Sequence, residues 1–124
     1  MPLVEIHARL GNSSMLYVLF IGLWGLFRFF RKEGVSSSYW GVLAIAEILI
    51  LAHGILGAVL YFGGDRPDRS IHILYGVISA LVIPGVYAYT QGDNQRRSML
   101  IYGVSLLILA ALIWRAVATS GVAA

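Results

Sequence analysis

Residues 39–62 read YWGVLAIAEILILAHGILGAVLYF, and apart from its tyrosines the stretch holds only Glu47 and His53 as ionisable groups. At about 1.5 Å per helical residue it is longer than the ~30 Å hydrocarbon core of a bilayer. It therefore predicts a membrane-spanning helix. Working outward, Met15–Phe30, Ile71–Thr90 and Met99–Ala118 are apolar in the same way, the first reaching full length once Leu10–Ser14 is added. The 124 residues, 59% hydrophobic and 12% charged, make one domain over 1–124 that lies outside the soluble globular range. A backbone in lipid must satisfy its own hydrogen bonds, which leaves helices as the economical solution.

The expected fold is all-α: an integral-membrane bundle of four helices over 3–31, 39–62, 67–90 and 97–118. The connections Gly34–Ser38, Gly63–Ser70 and Gln91–Ser98 are short, and short links make consecutive helices antiparallel, an up-down-up-down bundle. Gly63-Gly64 predicts the end of the second helix, Asp65 and Pro67 the start of the third, and Pro84 a kink within it. The first residues, MPLVEIHARLG, lack a basic segment before an apolar one, so no cleavable signal is expected.

The net charge of +3 is no signature of nucleic-acid binding, because the basic residues sit at helix ends. Arg28, Arg31, Lys32, Arg96 and Arg97 gather on one side, whereas Arg9, Arg66, Arg69 and Arg115 are mixed with acids on the other. The positive-inside rule predicts cytoplasmic 31–38 and 91–98 loops and both termini outside, in the cytoplasmic membrane of a prokaryote. With no cysteine, disulfides, thioether-linked haem and thiolate metal sites are excluded.

Two segments share one template, His-x-x-x-Gly-x-x-Ser: HARLGNSS at 7–14 and HILYGVIS at 72–79. Trp40-Gly41-Val42 likewise matches Tyr102-Gly103-Val104. The pairing predicts two duplicated helical hairpins, with His7 and His72 at one depth on diagonally opposed helices. Each template puts a histidine and two small residues on one side of its helix, so facing copies make a slot lined by His7, Gly11, Ser14, His72, Gly76 and Ser79. Small residues also serve plain helix packing in membranes. The histidines are harder to explain that way, since an ionisable side chain in a span is usually buried and paired. His53, nine residues before the end of its helix, also carries a glycine four residues on, Gly57. Glu47 reads either as a proton-relay acid or as a carboxyl bonded to a neighbouring helix.

HARLG, HGILG and HILYG, set in four short helices, resemble membrane b-type cytochromes in general arrangement. The resemblance implies a haem b held between histidines of different helices: His7 with His72, or alternatively His53 with His72. Glycines at 11, 57 and 76 would admit the macrocycle face, and Arg9, Arg69 and Arg115 would meet its propionates. The function expected is electron transfer, with quinone or as a subunit of a redox complex, rather than stand-alone enzyme catalysis. Alternatives are a cofactor-free accessory subunit of a respiratory or photosynthetic complex, a chlorophyll or carotenoid carrier, and a small transporter built on Glu47.

Overall fold

The computed structural model describes residues 2–65 and 70–118. It contains α1 (Leu3–Phe30), α2 (Ser37–Phe62), α3 (Ile71–Thr90) and α4 (Arg96–Ala118). All four are long and apolar enough to cross a membrane. α2 starts two residues earlier than expected because the Ser36 hydroxyl accepts the Tyr39 N–H at 3.1 Å and caps the helix. Its end follows the sequence. Gly64 takes φ +100°, and the Asp65 N–H turns back to the Leu60 carbonyl. α3 closes through left-handed Gln91 and Gly92, and it continues through Pro84. The expected α3 start at Pro67 lies outside the described residues.

Each helix packs on two others: α1 and α3 both lie against α2 and α4. The diagonals are therefore α1 with α3, and α2 with α4. One spacing runs through all four seams. Gly11, Ser14, Val18, Ile21 and Gly25 of α1 are buried at alternating steps of three and four, as are Tyr39, Leu43, Ala46 and Ile50 of α2. Met99, Tyr102, Leu106, Leu109, Ile113 and Ala116 do the same along α4, the period of helices meeting along a common seam. On α3 the series 72, 76, 79, 83, 86 and 90 contains buried Ser79, Ile83 and Thr90. Large apolar side chains turn outward instead: Phe20 is 72% and Phe62 83% exposed. Such a surface suits lipid rather than water.

The α1–α4 seam is the most extensive and α2–α3 the least. Glycines explain the first. A Cβ on Gly25 would stand 3.1 Å from the Gly103 Cα, and one on Gly103 would stand 3.0 Å from the Leu26 nitrogen. Against α2, the α1 backbone accepts the Tyr39 hydroxyl at Ile21, at 2.5 Å, while the Tyr17 hydroxyl donates to the Val42 carbonyl at 2.9 Å.

At the end away from the histidines, the two loops clasp each other. The Val35 N–H donates to the Asn94 carbonyl at 3.0 Å. Any side chain on Gly34 would collide with that same carbonyl. Arg28 donates to the Gly34 carbonyl at 2.7 and 3.1 Å, and Arg96 to the Phe29 carbonyl at 2.8 Å. Asp93 accepts from the Ser98 hydroxyl and from the Gln95 N–H; with the Arg97 charge nearby, these hold its carboxyl below the ordinary 3.8.

Two outcomes are expected. Gly25→Ala brings its methyl within 2.6 Å of the Tyr39 hydroxyl and 3.1 Å of the Gly103 Cα, overpacking both α1 seams at a cost of about 1–3 kcal/mol, whereas Gly41→Ala, with nothing within 4 Å of the added Cβ, is neutral or gains up to ~1 kcal/mol of helix propensity. Unfolding in mixed detergent micelles measures both. The Asp93 contribution is complete above pH 3.8 and is lost as pH falls through the lower folded-state value. The Gln95 N–H should show no protection, relative to its intrinsic exchange rate, in Asp93→Ala at any pH, and should lose protection in the parent chain only in strong acid.

Candidate functional site: a histidine cluster and an adjoining cleft

Three helices deliver their only histidines to one place. The His7 and His53 rings stack with centroids 3.9 Å apart and planes 10° from parallel. His72 meets His7 edge-on, at 6.1 Å between centroids and 71° between planes. His7 and His72, on diagonal helices, are thus in edge contact across the bundle. His53 joins them from α2, so the two expected ligand pairs are parts of one cluster. Among the described residues, ring contacts connect His7 to both others.

Main-chain carbonyls orient the two diagonal imidazoles. His7 Nδ1 lies 3.1 Å from the His53 carbonyl, and His72 Nδ1 lies 2.5 Å from the Ala116 carbonyl. A carbonyl only accepts, so Nδ1 carries a proton in each ring. The same fixing of one ring nitrogen by a carbonyl is the usual support of a ligating histidine.

The glycines do something other than the sequence pattern suggested. A Cβ on Gly57 would come within 2.9 Å of His7 Cε1, and one on Gly11 within 2.9 Å of His53 Nε2. The motifs His7-x-x-x-Gly11 and His53-x-x-x-Gly57 therefore interlock, each histidine seated on the other helix's glycine. Gly11 and Gly57 make room for imidazoles, not for the face of a macrocycle. Gly76 differs: a Cβ there would meet nothing within 4 Å.

Gly76 faces a cleft of about 230 Å³ next to the cluster, lined by Ser14, His53, Gly54, Ser79, Ala80 and Ala116 among others. Buried Ser14, Ile50, Ser79, Ile113 and Ala116 form its floor, while exposed Leu51, Gly54, Ile55 and Gly76 flank its mouth in the α2–α3 seam. The Ser79 hydroxyl donates to the Tyr75 carbonyl at 2.7 Å. The Ser14 hydroxyl, on a residue only 2% exposed, has no partner. Sequence reasoning placed both serines beside a slot but had no means of telling the satisfied one from the other.

The cations lie farther out. Arg9 is exposed and paired with Glu5 at 2.7 Å. Arg115 is exposed, its guanidinium 6.0 Å from the Tyr75 ring centre and 5.9 Å from that of Trp114. Arg69 lies outside the described residues. Glu47, elsewhere on α2, is half-buried, with Oε2 unpartnered.

Among the described residues no three His, Cys, Asp or Glu side chains form a metal-holding group. A haem iron takes four nitrogens from its macrocycle and asks the protein for two. Two imidazoles sharing one iron at about 2 Å each stand with ring centres about 6 Å apart, which matches the His7–His72 separation. The stacked His7–His53 pair leaves no space between its rings. The match is one of ring-centre spacing. The cleft, at about 230 Å³ and lined by neither His7 nor His72, is below the ~300–1,000 Å³ typical of sites for drug-sized ligands, so it does not itself supply room for a macrocycle between those two rings.

The interlock has a direct spectroscopic test. Cross-relaxation between the His7 and His53 ring protons should be strong in the parent chain. It should disappear in Gly57→Ala, whose methyl displaces His7, and persist in Gly76→Ala, whose methyl enters open space. No known protein family, curated protein or solved structure matches this chain.

Proposed function

We propose that the chain is a small integral-membrane haem b protein that passes single electrons, as a subunit of a redox complex or in exchange with quinone. His7 and His72 are the axial ligands in this reading. The observation that carries it is the pair of diagonal imidazoles 6.1 Å apart, each with Nδ1 held on a main-chain carbonyl. When bound, the haem would supply reversible one-electron chemistry, with its potential set by axial ligands, hydrogen bonding and burial. The chain's own part is to fix the tautomer and direction of both imidazoles, to support His7 from behind with the His53 ring, and to exclude water with an apolar bundle. Arg9 and Arg115 would reach propionates only after turning inward from their present positions.

The up-down-up-down order and the duplication belong to the same proposal. In support, both short loops clasp at one end, and all three histidines meet at the other. Each odd-numbered helix sends its histidine to a carbonyl of the next helix, His7 to residue 53 and His72 to residue 116. The charge bias supports cytoplasmic loops, in a prokaryotic cytoplasmic membrane. A second reading, a cofactor-free subunit of a larger assembly, draws on one observation: the interlocked His7–His53 pair already fills the space between α1 and α2.

Protein purified from haem-replete cells tests the proposal. It should show a Soret band and sharp reduced α and β bands. Both His7→Ala and His72→Ala should lose them, while His53→Ala retains haem with an altered potential. A folded, colourless preparation would establish the cofactor-free reading instead.

A further inference from the structure

The cleft beside the histidines has two properties that together specify a ligand. Its mouth lies in the α2–α3 seam, where Gly54 and Gly76 are exposed on opposite helices and a Cβ on either would meet nothing within 4 Å. A flat ring can slide between two such backbones, and it would arrive from the lipid phase, since the mouth is on the apolar flank of the bundle. At the floor sits the Ser14 hydroxyl, 98% buried and without a partner.

That lone hydroxyl is unusual. A serine inside an apolar helix ordinarily donates to the carbonyl one turn back, as Ser79 does to Tyr75 across the same cleft. An unpaired buried hydroxyl costs free energy that a hydrogen bond recovers. The Ser79 proton is already committed, which leaves Ser14 as the free serine donor at the floor. A donor awaiting a partner selects an acceptor.

We infer that the cleft is a binding site for a flat, lipid-soluble ring compound bearing a carbonyl oxygen, a cyclic ketone or quinone. Its ring lies between Gly54 and Gly76 and its carbonyl accepts the Ser14 hydroxyl. Ser14 is seven residues beyond His7 on α1, about 10 Å deeper at helical rise. The site is thus adjacent to the histidine cluster without being part of the ligand pair. It deepens the redox reading by giving a lipid-borne carbonyl compound a place next to it, but it stands on the cleft and Ser14 whether or not haem binds.

The test uses two probes of nearly one shape, 2-methyl-1,4-naphthoquinone and 2-methylnaphthalene, with the full chain in nanodiscs and empty nanodiscs as the partition blank. Equilibrium dialysis should find one saturable quinone site per chain and a hydrocarbon bound about tenfold more weakly, the loss expected for one hydrogen bond near the upper end of its net worth. Ser14→Ala should bind both probes equally, through loss of the quinone preference alone. Gly54→Leu should abolish saturable binding of both, and Gly41→Leu, on the same helix but outside the cleft, should leave it unchanged. Equal binding of the two probes by the parent chain, a preference that survives Ser14→Ala, or no saturable binding would each overturn the assignment. Tighter binding of 1-naphthol than of the quinone would overturn the carbonyl in favour of a donating ligand. A colourless protein that still binds the quinone removes the haem proposal and leaves this one standing.

Discussion

The closeness of α1 and α4 governs the rest of the structure. In a bilayer no hydrophobic force drives helix against helix, because lipid chains are as apolar as leucine; packing contacts and polar links have to suffice. Gly22, Gly25 and Gly103 let the two backbones approach until an added methyl would touch main chain or the root of a side chain. That approach fixes the rotation of α1, and rotation decides what α1 shows the bundle interior. With Gly25 against Gly103, steps of three and four carry the same stripe through Ile21, Val18, Ser14 and Gly11 to His7. A seam near one end of the helix thereby aims an imidazole near the other.

The histidine cluster then follows from mutual accommodation. α1 and α2 each offer a histidine and, one turn on, a glycine. Each glycine removes the side chain that would otherwise occupy the place of the opposing ring. α3 supplies the third imidazole, held by a carbonyl of α4 rather than by a glycine seat. The arrangement is therefore lopsided: the α1–α2 pair is closed and self-satisfied, while the α3 side adjoins open space at Gly76. The two template copies are alike as strings and unlike in surroundings. Gly11 is buried under His53, and Gly76 opens on a cleft.

The four helices were legible because length and apolarity alone decide a membrane span. Which side of each helix faces inward was harder, since lipid-facing and bundle-facing positions are equally apolar and an amphipathic pattern is faint. The small and polar residues carry that information instead. Buried Gly11 and Ser14 on α1 and buried Ser79 on α3 carry that signal, and the rings of His7 and His72 meet at its end. Sequence gives the depth of Arg9 and Arg115 but not their direction; in the structure the exposed guanidiniums meet Glu5, Tyr75 and Trp114. The seating of each imidazole on the opposite glycine was invisible, because a four-residue interval within one helix says nothing of which residue crosses it from another.

The loose α2–α3 seam follows from where the ties fall. α1 and α2 are linked at three depths by Tyr17, Tyr39 and His7, all reaching main-chain carbonyls, and α1 and α4 by glycine contact. α3 is joined to α4 through His72. No hydrogen bond of this kind is recorded between α2 and α3 among the described residues, and small side chains on both helices, Gly54, Ala58, Gly76 and Ala80, line the gap without filling it. α2 and α3 meet through the Trp40–Tyr87 ring pair at the loop end, centroids 5.8 Å apart, which leaves the histidine end of this seam the more lightly held. The polar groups at risk when that side parts are His53, Ser79 and Ser14; of the two serines, only Ser14 lacks a bond of its own. The lightly held end of this seam thus has an unsatisfied hydroxyl behind it, so a ligand entering there would gain a hydrogen bond without first breaking one.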